Sequence, residues 1–334
     1  MERNYSIDTL RTIAAFLVIM LHVSAEYVNS GKTNLVFDAS FWIGNIVDSF
    51  SRISVPVFVL ISGMFLIDRK ESFGEFYQKR AYRILIPLVS WSGIYLLYDL
   101  VLDTLINNRI SFKSIIINAL SGNPFYHMWY LFMIMGLYVI TPIINIVIHV
   151  ISKKILWIIA IILLIFGMIN STFGIVVRKN DLFIFWFLNY LGYFIFGYLI
   201  KNDNNKFLLI ALLSVYIVSG FVIAILSYYT IVYFNNLYFY TFVSPFVAIG
   251  SLSIVRLFNQ LKLGDNLFSR LSCLTLGIYL IHAGVLDILV RLLRYLDIYD
   301  HAAIGIPLKF IITSFVSIRI ATFIKKTKYI HRII

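Results

Sequence analysis

Arg11 and His22 stand eleven positions apart within one apolar stretch. At about 100° per residue, eleven positions make three helical turns plus about 20°, so on a helix the guanidinium and the imidazole share a face about 16.5 Å apart. Asp8 lies one turn before Arg11, and Glu26 one turn after His22. The stripe reads carboxylate, guanidinium, imidazole, carboxylate. An imidazole titrating near pH 6.5 can take a proton from a hydroxyl at neutral pH. A carboxylate at i+4 can orient the ring and stabilise the imidazolium as it forms. A guanidinium binds phosphate through paired N–H groups. These residues suit proton transfer from a hydroxyl beside an anchored anion. A lone histidine in a membrane span is as often structural, bonded to a neighbouring helix; the aligned Arg11 and Glu26 favour chemistry.

Lys79, Arg80 and Arg83 stand just ahead of another apolar run. On a helix, Arg80 and Arg83 are i,i+3 neighbours that can grip a phosphate from one side. Membrane topology alone, which concentrates Lys and Arg in cytoplasmic loops, also places basic residues here.

Such side chains need elements to hold them, and the composition says which. Of 334 residues, 60% are hydrophobic and 13% charged, against about 25% charged in soluble domains. Too few charges remain to cover a water-facing surface, which excludes a cytosolic enzyme. A span needs about 20 apolar residues. Ten stretches qualify, at roughly 8–28, 41–67, 84–106, 127–148, 155–173, 182–200, 207–227, 237–258, 271–293 and 303–324. Asp48, Arg52 and Pro56 interrupt the second, which predicts a tilted or broken helix. The first carries charged residues and no small-residue cleavage site after its apolar run, so it reads as a retained span. With ten spans both termini share a side. Alternate loops divide the 28 Lys and Arg as 19 against 9, which places the termini in the cytoplasm. The expected fold is all-α: one polytopic bundle of about ten transmembrane helices over residues 1–334, in the inner (cytoplasmic) membrane.

Several classes drop out. One cysteine, Cys273, excludes a disulfide framework or cysteine metal cluster. The six histidines form no HExxH or i,i+4 pair, so no metal is expected. A net charge of +12 sits between apolar runs, which points to lipid headgroups and anionic metabolites rather than nucleic acid. A transporter or flippase for a lipid-linked sugar or small metabolite is the alternative, although no inverted repeat is detectable.

The pattern around Asp8-Thr9-Leu10-Arg11, ten residues and then His22 resembles the arginine–histidine signature of the acyltransferase-3 membrane proteins. Four further segments are similar in the same order: Val55–Phe65 with Pro56, Ser62 and Gly63; Arg80-Ala81-Tyr82-Arg83; His127-Met128-Trp129-Tyr130; and Leu276–His282 with Gly277 and Tyr279. The nearest likeness is to stand-alone O-acetyltransferases of surface polysaccharides, of the enterobacterial common antigen type. No SGNH domain is seen after the last span.

The resemblance implies an acyl-CoA donor, usually acetyl-CoA, entering from the cytoplasm, and a hydroxyl acceptor on a glycan or lipid-linked sugar. It implies cofactor contacts at Arg11, Lys79, Arg80, Arg83, Ser62 and Gly63, and catalysis at His22, for which the i+4 spacing offers Glu26 as helper. Arg52, His127, Trp129, Tyr130, Tyr279 and His282 become substrate-binding candidates. For each a plainer role stands beside it: helix packing for Ser62 and Gly63, interface anchoring for His127, Trp129 and Tyr130, a solvated ion pair for Arg52 with Asp48. His22 acts either as general base for direct transfer or as carrier of a transient acyl group.

Overall fold

A computed structural model describes residues 3–107, 121–177, 182–298 and 301–334. Arg109, Lys113, Arg178 and Lys179, four of the nine basic residues assigned to the outer loops, lie outside the described residues. Among the described residues the chain is helical without strands, and ten helices are long and apolar enough to span a membrane. Span 1 is Tyr5–Asn34, span 2 Ala39–Leu66, span 3 Phe73–Thr104, span 4 Trp129–Val150 and span 5 Lys153–Gly174. Span 6 is Phe183–Lys201, span 7 Leu209–Phe234, span 8 Tyr238–Gln260, span 9 Leu267–Tyr295 and span 10 Ala302–Lys326. In lipid every backbone N–H and C=O must find its partner internally, and helices of this length satisfy that.

Span 1 is the central post, packed against spans 2, 8, 9 and 10. Asn4 caps it by accepting from the Ile7 N–H at 3.1 Å. Small polar residues in its first turns then tie it to the segment leading into span 9. Ser6 donates to the Leu261 carbonyl at 2.8 Å, and Thr12 to the Phe268 carbonyl at 2.7 Å. These bonds fix the rotation of the helix, and with it the direction of Arg11.

Span 2 is broken, as its interrupting residues predict. One helix runs Ala39–Ser51 and a second Ser54–Leu66, with Arg52 and Ile53 in the turn between them. Pro56 falls in the first turn of the second helix, where its missing N–H has no intrahelical partner to lose. Asp48 and Arg52 form a buried ion pair rather than a solvated one, with Arg52 Nε 2.6 Å from Asp48 Oδ1.

Span 3 begins earlier than its apolar run. Helix starts at Phe73 and passes through a π-helical turn, Ala81–Leu85, so Lys79, Arg80 and Arg83 lie on helix rather than in a loop. Pro87 follows that turn and has no N–H to offer the carbonyl four residues back, which accounts for the altered winding there. In the most apolar stretches of spans 5 and 7 only 22% of residues are buried, so these helices form the lipid-facing flank.

Candidate active site

At the end of the bundle that carries the N-terminus, spans 1, 2, 3, 4 and 9 enclose a cavity of about 530 Å³. Its wall contains six cations: Arg3, Arg11, Arg69, Lys79, Arg80 and Arg83. Ser62, Tyr130, Tyr138 and Tyr279 supply further polar groups, and Phe58, Ile61, Phe65, Leu131 and Ile134 an apolar side. Arg3 and Arg69 belong to the set although sequence reading counted them only toward topology.

Two carboxylates hold part of this charge in place. Asp8 accepts from Arg3 at 2.8 Å and lies 3.4 Å from Arg11. Glu71, in the loop before span 3, takes Arg80 at 2.6 Å and Lys79 and Arg69 at 3.3 Å each. Burial works to raise the Glu71 carboxyl, but the hydrogen bonds from Arg80 and Lys79 outweigh it, so the group lies below its ordinary range. Six cations against Asp8 and Glu71 leave a formal surplus of four. Arg80 is buried and stacks over Phe76 at 4.2 Å, whereas Arg83 is exposed; they meet the cavity from different depths.

The cavity ends at Tyr130 and Tyr279, and His22 is not in its wall. The sequence places Arg11 and His22 on one face in a common passage; the structure sets an aromatic ceiling between them. The Tyr279 ring touches Tyr130 at 5.3 Å on the cavity side and His282 and His127 at 5.7 and 5.2 Å. Its hydroxyl donates to the His127 carbonyl, which fixes the ring between the two. Behind it three imidazoles gather. His22 stands 5.4 Å from His282, centre to centre, and His127 5.2 Å from His282. Tyr126 meets His22 edge-on at 4.9 Å. His127 and His282 are fully buried, while His22 keeps partial access.

Other expected residues are placed differently. Glu26 does not pair with His22: its carboxylate accepts from Arg294 and from Lys309, each at 2.9 Å. Two cations on spans 9 and 10 outweigh a neutral ring one turn away on the same helix. Gly63 does not face the cavity. A Cβ there would lie 1.8 Å from the Phe194 carbonyl oxygen, so it is a packing residue at the crossing of spans 2 and 6, and only Ser62 of the pair reaches the cavity. His127 is buried among Tyr95, Phe125, Tyr279 and His282 rather than anchored at an interface. Trp129 stacks on Phe242 at 5.6 Å and meets Trp186 edge-on. Arg52 donates to the Tyr240 carbonyl at 3.0 Å and covers the Tyr240 ring at 4.4 Å. Among the described residues no group of His, Cys, Asp and Glu is arranged to hold a metal ion.

A cation-lined cavity and, behind its aromatic ceiling, a histidine cluster, set within ten apolar helices, define the class: a membrane-embedded enzyme. Residues 4–325 match the family model described as an acyltransferase domain, and the chain belongs to this acyltransferase-3 family. It is a multi-pass membrane acyltransferase. No curated protein and no solved structure matches the chain.

Proposed function

We propose that the chain moves an acetyl group from acetyl-CoA to a hydroxyl of a cell-surface glycan or its lipid-linked precursor, in the inner membrane with both termini in the cytoplasm. The supporting observation is the six-cation cavity whose ceiling, Tyr279, touches the histidine cluster from the other side. Coenzyme A carries a phosphate monoester and a diphosphate, together roughly four negative charges, which suits the surplus of four on this wall. A volume of about 530 Å³ is in the range of small-molecule sites. Arg11, Lys79, Arg80 and Arg83 hold the phosphates, and Ser62 with the apolar side guides the thioester arm toward Tyr130 and Tyr279. Displacement of the Tyr279 ring admits the thioester to His22.

There His22 acts as general base. It takes the proton of the acceptor hydroxyl as that oxygen attacks the thioester carbonyl, the C–S bond breaks, and the proton passes to the departing thiolate. Arg52, Trp129 and Tyr126 stand on the acceptor side. The resemblance to stand-alone surface-polysaccharide O-acetyltransferases, including the enterobacterial common antigen type, favours a glycan. Comparing ester-linked acetate on surface glycans of a deletion strain and its parent tests this. Loss of acetate in the deletion, restored by the wild-type gene and not by His22→Ala, is expected. Unchanged glycans together with loss of another acyl ester would replace the acceptor or the acyl group.

A further inference from the structure

His282 is fully buried and only half satisfied. Its Nδ1 lies 2.6 Å from the Tyr279 carbonyl oxygen. A carbonyl can only accept, so Nδ1 carries the proton and Nε2 presents a lone pair. That Nε2 has no hydrogen-bond partner although it is sealed from solvent. A buried acceptor left unmade is costly, so in a native site it calls for a partner. Two imidazoles neighbour it: His127, 5.2 Å away, nearly perpendicular at 79° and itself without a hydrogen-bond partner at either nitrogen, and His22, 5.4 Å away with the two planes only 27° apart. Imidazoles in face contact sit at roughly 4 Å. Rings joined edge to edge by an N–H···N bond of about 3 Å have centres roughly 5 Å apart. The observed spacing is close to the second arrangement. The carboxylate that His22 would otherwise use, Glu26, is held by Arg294 and Lys309.

We propose that His282 is the positioning partner of His22, its Nε2 accepting the His22 N–H. This bond fixes the tautomer that leaves the other His22 nitrogen free for the acceptor hydroxyl, and it stabilises the imidazolium formed when that proton arrives. His282 itself neither gains nor loses a proton. Its Nδ1–H bond to the span 9 backbone leaves Nε2 as the nitrogen that can accept. The inference rests on the general-base reading of His22 given above.

The test uses the intact chain in vesicles made with the membrane lipids of its host, radiolabelled acetyl-CoA, and three forms: wild type, His282→Gln and His282→Asn. A Gln amide oxygen falls near Nε2, and an Asn amide nitrogen near Nδ1. His282→Gln should keep transfer within about tenfold of wild type, while His282→Asn should lose at least roughly 10–100-fold, the cost of removing a partner that orients a metal-bound histidine, and up to about 10⁴ if the wrong tautomer results. Acetyl-CoA binding should be equal in all three, because His282 is not on the cavity wall. The reverse order, Asn active and Gln inactive, assigns His282 a structural bond to Tyr279 and overturns the proposal. Full activity in both variants, loss of transfer in both, or loss of acetyl-CoA binding in both overturns it as well. A wild-type chain that binds acetyl-CoA and transfers nothing overturns the transferase reading itself, and this inference with it.

Discussion

His22 meets rings, not carboxylates. The spacing in the sequence puts Glu26 one turn away, yet Glu26 belongs to Arg294 and Lys309. Glu26→Gln is therefore expected to lower the thermal stability of the purified protein, since it leaves a buried Lys309 without its carboxylate, while acetyl transfer per folded molecule stays within a few-fold of wild type. A loss of transfer as large as that of His22→Ala, at unchanged stability, would restore Glu26 to the chemistry. At this scale the stripe Asp8, Arg11, His22, Glu26 was legible in the sequence because helical period alone sets which residues share a face. The partners were not legible, because they come from spans 9 and 10, and nothing in span 1 says which cation arrives. The same holds for His127, whose burial follows from Tyr95 and Tyr279 closing over it.

The helices position the site through close crossings and local breaks. Gly63 of span 2 and Gly197 of span 6 lie against each other's helix, so a Cβ at Gly197 would stand 1.9 Å from the Leu60 carbonyl oxygen. Gly63→Ala is expected to cost about 3 kcal/mol or more, because backbone must move, and to appear as loss of folded protein in detergent by size-exclusion chromatography. Near-normal yield would show that the two spans can separate without harm. Glu71 gives a prediction with a pH sign. Its carboxyl is lowered in the folded chain, so its contribution to stability is complete above the ordinary carboxylate value of about 4.3 and is lost as pH falls through the lowered one. Wild type should lose its thermal-stability advantage over Glu71→Gln only in that acid window; an advantage persisting well below it would rule out the Arg80 and Lys79 pairs as its source. The break in span 2 was legible from Asp48, Arg52 and Pro56. The helical start of span 3 was not, since charged residues there read equally well as a loop until Phe76 is seen buried under Arg80.

Across the whole molecule, ten spans followed from apolar length alone because lipid tolerates little else. What the sequence could not convey is that, although Arg11 and His22 share one face of span 1, Arg11 lines the cavity together with Tyr130 and Tyr279 while His22 does not. Reporter fusions after residue 334 should be active only on the cytoplasmic side, as the division of Lys and Arg predicts; an externally active fusion would invert the bundle and place the cationic cavity on the wrong face for acetyl-CoA. A donor held in this cavity should be turned over at His22. The most direct measurement of this is acetyl transfer from radiolabelled acetyl-CoA by the purified chain in vesicles containing the host's glycolipids, with acetyl-CoA binding measured in parallel for wild type and His22→Ala. Labelled ester product from wild type, transfer reduced by about 10²–10⁴ in the variant, and equal binding in both are expected. A His22→Ala chain that still transfers acetyl at near the wild-type rate would contradict turnover at His22.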